Sequence, residues 1–531
     1  MTFVLVAVAR NTKNAVDLTN SFRAANKQQG TKQNNLLGIL CSLFTGIALC
    51  FCYPNANLFW LAWIVLAPLF TALLSVSSRG RCIFLTWLCG VTFFTGSLHF
   101  LTFVAFAAWP ALAILESLYW ILLGVLFFEA RNFSSRIFRI LWLALSFTAV
   151  EFLRAEIPVW AFGLNLLGHS QAFQPALIQV ASLGGAVLLT FLIVFANACF
   201  AEYWIGKKNQ RFLLAAALVV LLFVFLFGIV QLKKSEVKNF DSLRLSVVQP
   251  NIPQSVKWVM MAKKDILEIH ENLTKVAALR EPQLIIWPEA AFPGYLNADY
   301  DAARVSRLVK GVNIPLLVGA PYWESQERVF NSVFLMDSTG VITDRYDKIK
   351  LVPFGEYVPW KPLLGWLSPL AYTMGVGDFT AGATQKIFKW AKDFPFSVLI
   401  CFEDVFSGPA RQAVQNGAKF LVVVTNDAWF GPTGAPWQHL QSSIFRAVEN
   451  GVPAVRSSNT GVSGFISAEG KILNLLQQTH GKNLFISGEL TFELPMVQHE
   501  TFYQKGGWLF PYVCIILLGS LFFFKKKGVS L

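Results

Sequence analysis

The chain has 531 residues, 55% hydrophobic and only 14% charged, with a mean hydropathy of +0.51. Soluble domains carry about 25% charged residues, so a wholly water-soluble chain is excluded and a membrane protein with soluble mass attached is expected. A formal charge of +13 would suit nucleic acid if it were clustered. The basic residues instead lie mostly in short loops between apolar runs, which fits membrane topology and excludes a nucleic-acid partner.

In chain order, residues 1–35 are polar apart from "TFVLVAVA", which is too short to span a bilayer and has no basic residue before it. They are read as a mobile cytoplasmic extension without an assigned role. A spanning helix needs about 20 apolar residues. Eight runs qualify, near 36–53, 57–76, 83–104, 110–129, 138–155, 176–203, 212–232 and 507–524. Basic residues follow the second span (Arg79, Arg81), the fourth (Arg131, Arg136, Arg139), the sixth (Lys207, Lys208, Arg211) and the eighth (Lys525 to Lys527). Loops after the first and third carry no charge. The positive-inside rule then makes both termini cytoplasmic and puts 233–506 on the outer side. Lys233 and Lys234 run against this, but long domains translocate largely regardless of charge. The expected domains are 1–35, a seven-span bundle over 36–232, an outer domain over 233–506, and an eighth span with a basic tail over 507–531. Within the spans Glu116, Glu151 and Arg154 are costly in lipid, which implies buried roles; the spacing of Glu151 and Arg154 predicts a local i,i+3 ion pair.

From about 240 to 495 short apolar runs alternate with polar helical stretches. "LRLSVVQP", "QLIIWPE", "IPLLVGAP", "SVFLMD", "FSVLICFED", "KFLVVVTND", "AVRSSN", "GFISA" and "LFISGEL" read as strands. Residues 261–280 read as a surface helix. Residues 437–450 read as another, with Gln and Arg outward and Ile444, Ala447 and Val448 inward. Strands alternating with helices predict a layered α/β domain, so the fold class is an integral membrane α-helical bundle of eight transmembrane helices plus an extracytoplasmic α/β domain.

Of eight cysteines, only Cys401 lies outside the apolar runs. That distribution gives neither a disulfide framework nor a paired C-x-x-C metal site, and no metal, nucleotide or other cofactor motif is present. Cys401 ends a strand, as Glu289 and Lys348 nearly do, and strand ends aim side chains into clefts. A thiol with pKa about 8.5 needs help to become a nucleophile. An ammonium stabilises the thiolate and an oxyanion, and a carboxylate moves the proton. Cys401, Lys348 and Glu289 would make a complete acyl-transfer set if they meet. Each alone more often has a plainer reading: a small core cysteine, a solvated lysine, a glutamate after a strand.

The stretches "WPEAAFP" (287–293), "YDKIKLVPFGEYVP" (346–359), "ICFED" (400–404) and "TNDAWFG" (425–431) resemble the motifs of the apolipoprotein N-acyltransferase family, membrane-bound members of the nitrilase-like carbon–nitrogen hydrolase superfamily. "QPNIPQSVKW", "PWQHLQ" and "AVRSSNTGVSGFI" extend the likeness over about 36–525. The resemblance implies an αββα outer domain in the periplasm of a bacterial inner-membrane protein. It implies Glu289 as general base, Lys348 (rather than Lys350) as the lysine and Cys401 as nucleophile. Glu356, Glu403 and Trp258 match supporting positions. It also implies a phospholipid acyl donor, typically phosphatidylethanolamine, a diacylated apolipoprotein acceptor, and no cofactor; a monomer is favoured. Phe402 and His169 stand where the family usually has tyrosine, and "GSLHFL" (96–101) departs from its usual Trp- and Tyr-bearing run. The apolar segment 358–376 reads as an arm dipping into the interface. The alternatives are a membrane-tethered amidase or nitrilase using the same three residues, a transporter or scaffold in which Cys401 is dispensable, and an acyltransferase with altered donor or acceptor.

Overall fold

The computed structural model describes residues 35–156, 161–206, 210–235, 241–326, 328–365, 378–390, 394–478 and 481–526. The N-terminal extension, most of the 358–376 arm, Lys207, Lys208 and Lys527 lie outside them.

Four described helices are long and apolar enough to cross a membrane: Ala108–Ala130, Ala181–Ile205, Arg211–Lys234 and Gly507–Phe524. Asn35–Cys50 is a shorter apolar helix. The run 57–76 is not one continuous helix. It forms a 3-10 turn, Phe59–Trp63, and then the helix Ala67–Ser75. At the break, the Asn197 side chain accepts from the N–H groups of Leu66 and Ala67 and donates to the Ala62 carbonyl. Backbone freed from a helix needs such partners away from water. Likewise 83–104 is a helix, Arg79–Ser97, followed by a 3-10 turn, His99–Phe103, and 138–155 lies within the helix Arg136–Glu156.

The expected Glu151–Arg154 pair does not form as an ion pair. Arg154 turns to Glu116, at 3.3 Å, and donates to the carbonyls of Phe162, Leu164 and Asn165. Glu151 instead accepts from the Leu167 N–H and the Thr190 hydroxyl, each at 2.6 Å. Sequence proximity loses here because a buried guanidinium with five N–H donors needs several acceptors at once, and the loop 161–165 supplies them.

The α/β domain holds two sheets. One has the order β11-β1-β2-β3-β4-β5, where β1 is Ser242–Gln249, β2 Leu284–Ile286, β3 Leu316–Ser325, β4 Arg328–Met336, β5 Ile342–Asp347 and β11 Gly488–Pro495. The other runs β10-β9-β8-β7-β6, with β6 Phe396–Ile400, β7 Phe420–Thr425, β8 Ala454–Ser458, β9 Gly464–Ile466 and β10 Ile472–Leu475. β11 begins four residues later than "LFISGEL" begins, and β5 and β10 add two strands to the nine stretches read as strands. Successive side chains of a strand face opposite ways. In β6 and β7, Phe396, Val398, Ile400, Phe420, Val422 and Val424 therefore enter the core between the sheets, with Leu245, Val247 and Leu317 opposite. The other face of the first sheet packs on the helices Lys263–Ala278 and Ala302–Val312. The other face of the second packs on Ser407–Gln415 and Ala435–Asn450. The layers are thus helix, sheet, sheet, helix.

The helix Ala435–Asn450 does not present Gln and Arg to solvent as expected. Gln438, Gln441 and Arg446 are buried, because a second surface covers them: the apolar helices of the bundle. Leu440, Ile444 and Phe445 belong to the same core cluster as Leu189, Ile193 and Ala196. Glu449 accepts from the Ala186 N–H at 2.9 Å, a donor released where the helix Ala181–Ile205 breaks at Gly184 and Gly185. Gly185 has φ of 75°, a conformation glycine adopts without a Cβ penalty.

Candidate active site

β2, β5 and β6 deliver the three expected residues. Glu289 follows β2 through Trp287 and Pro288; Trp287 is anchored by its indole N–H donating to the Thr274 hydroxyl at 2.8 Å. The turn lies so close to β3 that a Cβ at Gly319 would sit 2.2 Å from the Pro288 carbonyl oxygen. Lys348 directly follows β5, and Cys401 directly follows β6. Cys401 has φ of 52°, a left-handed conformation that costs a non-glycine residue about 1 kcal/mol or more.

The Lys348 ammonium is 2.9 Å from Glu356 Oε1 and 3.4 Å from Glu289 Oε1. The Asn331 side-chain amide on β4 donates to both of those oxygens at 2.8 Å. Glu356 Oε2 accepts from the Val352 N–H. Burial opposes charge on Lys348, but the Glu356 and Glu289 carboxylates outweigh it and hold the ammonium above the ordinary lysine range. Lys350 is elsewhere, its ammonium 5.4 Å from the centre of the Phe406 ring.

Cys401 is partly buried. Burial pushes its thiol up, Glu289 adds to this and Lys348 opposes it. The resting group is therefore a thiol, and attack requires a base rather than a preformed thiolate. Thr425, at the end of β7, donates to Asp427 at 3.0 Å.

Glu403 staples two of the strand ends together. One carboxylate oxygen accepts from the Tyr346 hydroxyl and the N–H groups of Ile349 and Lys350; the other accepts from the Ile400 N–H. It fixes Lys348 and Cys401 relative to each other through their backbone neighbours, not through their side chains. Phe402 packs against Phe406, and against Phe162 with ring centres 6.1 Å apart. Phe162 belongs to the loop held by Arg154, so the residue after Cys401 touches the apolar helical part. His169 does the same from the other side, its ring 4.9 Å from that of Phe445.

Trp258 is 47% exposed, and its neighbour turns inward instead. Lys257 is buried and donates to the Glu289 carbonyl at 3.1 Å. Burial lowers it to about 8, against the pull of Glu289 and Cys401. The unfolded chain keeps this proton to about 10.4, so folding releases it between those values. The destabilising contribution is full below pH 8 and fades as pH rises toward 10.4. Lys257→Met is therefore expected to raise stability at pH 7 by about 2 kcal/mol and to flatten the stability curve between pH 8 and 10. A destabilised variant with an unchanged curve would contradict this origin.

Asn331, Lys257 and a buried quartet were not read from the sequence as site residues. Asn331 left a trace, an amide inside the apolar run of β4. The quartet comprises Asp404, Asp427, His439 and Arg456, each within a quoted motif, but no spacing says that they meet. His439 Nδ1 is 2.9 Å from Asp427 and Nε2 is 2.8 Å from Asp404. Arg456 spans both carboxylates at 3.1 Å. Burial alone would raise both carboxyls; His439 and Arg456 pull them below the ordinary range. Burial would lower His439, but Asp404 and Asp427 raise it to about 9. Among the described residues no His, Cys, Asp or Glu cluster is placed to hold a metal ion.

A thiol, a base and an ammonium at the strand ends of an αββα domain, joined to apolar helices, define a membrane-attached enzyme of the carbon–nitrogen hydrolase type. Residues 244–487 match the carbon-nitrogen hydrolase model and 45–199 the apolipoprotein N-acyltransferase N-terminal domain. The apolipoprotein N-acyltransferase of Geobacter metallireducens is 32% identical over 516 residues, 92% of this chain and 96% of that one. That of Rhodopseudomonas palustris is 33% identical over 406 residues, 73% of this chain and 74% of that one. The chain belongs to the apolipoprotein N-acyltransferase family. An amidase structure from Nesterenkonia sp. is similar at TM-score 0.38 and 20% identity, covering 50% of this chain and 94% of that one.

Proposed function

We propose that the protein transfers an acyl chain from a phospholipid to the N-terminal α-amine of an S-diacylglyceryl-cysteine lipoprotein, through a thioester on Cys401. The observation that carries the assignment of roles is the buried Glu289–Lys348–Glu356–Asn331 cluster beside a protonated thiol. Glu289 takes the Cys401 proton as sulfur attacks the sn-1 ester carbonyl. Lys348 and the Phe402 N–H stabilise the oxyanion. The C–O bond breaks, the lysophospholipid oxygen receives the proton from Glu289, and a thioester remains. The lipoprotein amine then attacks the thioester, Glu289 accepts a proton from it, and the C–S bond breaks. Cys401 leaves as thiolate and recovers that proton. Kinetics are ping-pong. Phosphatidylethanolamine is the proposed donor.

The proposed topology has eight spans in a bacterial inner membrane: seven within 36–232 and one within 507–524. Both termini are cytoplasmic, residues 233–506 form the periplasmic catalytic domain, and the unit is a monomer. The four long apolar helices support membrane attachment, and the alternation of basic loops supports the orientation.

Purified protein incubated with acyl-labelled phospholipid is expected to acquire hydroxylamine-sensitive label that a diacylated lipopeptide discharges. Cys401→Ala should acquire none. Label persisting on the alanine variant would remove Cys401 as the nucleophile, and label discharged by water as fast as by lipopeptide would favour an amidase.

A further inference from the structure

His439 makes one contact that charge balance does not require. Its Nε2 lies 2.8 Å from Asp404 Oδ1, but the N–H is aligned on the Cys401 backbone carbonyl, to which it donates at 3.2 Å. That carbonyl shares a planar peptide with the Phe402 N–H. Phe402 is the second residue of the short 3-10 helix Cys401–Val405, so its N–H precedes those that find helical carbonyls. A donor pulling on a C=O polarises the whole amide, and hydrogen bonds in series strengthen one another. The carbonyl also belongs to a residue held at φ of 52°, a conformation that persists only where the surroundings over-determine it.

We infer that His439 is a positioning residue for acyl transfer: held by Asp404 and Asp427, whose carboxylates Arg456 also bridges, it grips the Cys401 carbonyl and thereby aims and polarises the Phe402 N–H toward the oxyanion of both tetrahedral intermediates. The inference rests on Cys401 being the acylated nucleophile. Two features support it. The quartet is fully buried and balanced, two carboxylates against a guanidinium and an imidazolium, so the ring carries a proton on Nε2. The groups facing His439 are anchored from separate elements. Asp404 is bonded to Ser443 of the helix Ala435–Asn450, Asp427 follows β7, and Arg456 lies on β8. The imidazole is therefore fixed from three sides.

Two reactions of the same sulfur test it. Acylation by phospholipid passes through an oxyanion; alkylation by iodoacetamide does not. Both are measured on full-length protein in detergent, alkylation by the mass of the peptide carrying Cys401. His439→Gln is expected to slow acylation about tenfold, part of the loss seen when an oxyanion donor is deleted outright, while alkylation stays within about twofold. The paired variant His439→Gln/Asp404→Asn, which removes one charge of each sign, should acylate as slowly as the single one. Equal losses in acylation and alkylation, unchanged acylation, or wild-type acylation in the paired variant would each overturn the inference. If the wild-type protein itself takes up no label, the proposed function fails first.

Discussion

Lys348→Met is expected to abolish measurable acylation and to destabilise the protein, two effects that separate cleanly. The ammonium is 1% exposed and lies between Glu289 and Glu356. Removing one partner of a buried ion pair costs about 3–5 kcal/mol, because the remaining charge loses its compensation. Asn331 still donates to both carboxylates, but a neutral amide does not balance them. Loss of a principal oxyanion donor costs a further hundredfold to thousandfold or so in rate. The double variant Lys348→Met/Glu356→Gln removes one charge of each sign. It should recover most of the stability, read by denaturation in detergent, and none of the activity, read by thioester formation. Recovered activity would move the essential positive charge elsewhere, with Lys257 the nearest candidate. Lys348→Arg should not substitute, since a planar guanidinium does not fit a space filled by a compact ammonium.

Glu403→Ala is expected to be the most damaging single change outside the reacting groups. Its carboxylate accepts from one hydroxyl and three backbone N–H groups. Each buried donor left without a partner costs about 1–3 kcal/mol. The loss should therefore reach several kcal/mol, and Lys348 and Cys401 lose their common anchor. Glu403→Gln is the informative partner. Its carbonyl oxygen still serves one side, but its amide N–H meets the Ile400 N–H or those of Ile349 and Lys350, donor against donor. Intermediate stability with a large fall in acylation is expected. If Glu403→Ala melted with the wild type, the staple would have no energetic reality.

Much of this was legible in the sequence because strands buried on both faces read as continuous apolar runs, as "FSVLI" and "FLVVVT" do. Glu289 and Cys401 stood out because each follows such a run closely; Lys348 follows the polar strand Ile342–Asp347 and was singled out by its motif instead. What stayed hidden depends on partners far away in the chain. The helix Ala435–Asn450 looked amphipathic, and its polar side was assigned to water. That side faces the bundle, where Arg446 meets Glu449 and Gln438 meets Asn165. Arg154 was paired with its neighbour Glu151, but the burial that makes the charge costly also makes it seek Glu116 and three carbonyls. His439, Asp404, Asp427 and Arg456 span residues 404–456, and no periodicity links them. A buried charge network is written in three dimensions; only its members are written in one.

The core shared by the outer helix layer and the membrane helices has a mechanical consequence. Domains pivot where their contact is small and polar, and stay put where it is large and apolar. Leu440, Ile444 and Phe445 share one apolar core with Leu189, Ile193 and Ala196, and Glu449 is bonded across the junction. The catalytic half therefore cannot nod toward one substrate and away from another. The thiol stands at a set position relative to the apolar helices, as a fixed workbench does. A phospholipid and then a lipoprotein, which differ in size and anchoring, must each present the reacting atom at that one position. Selection between them falls to whatever flanks the bench and to the reach of the substrates themselves.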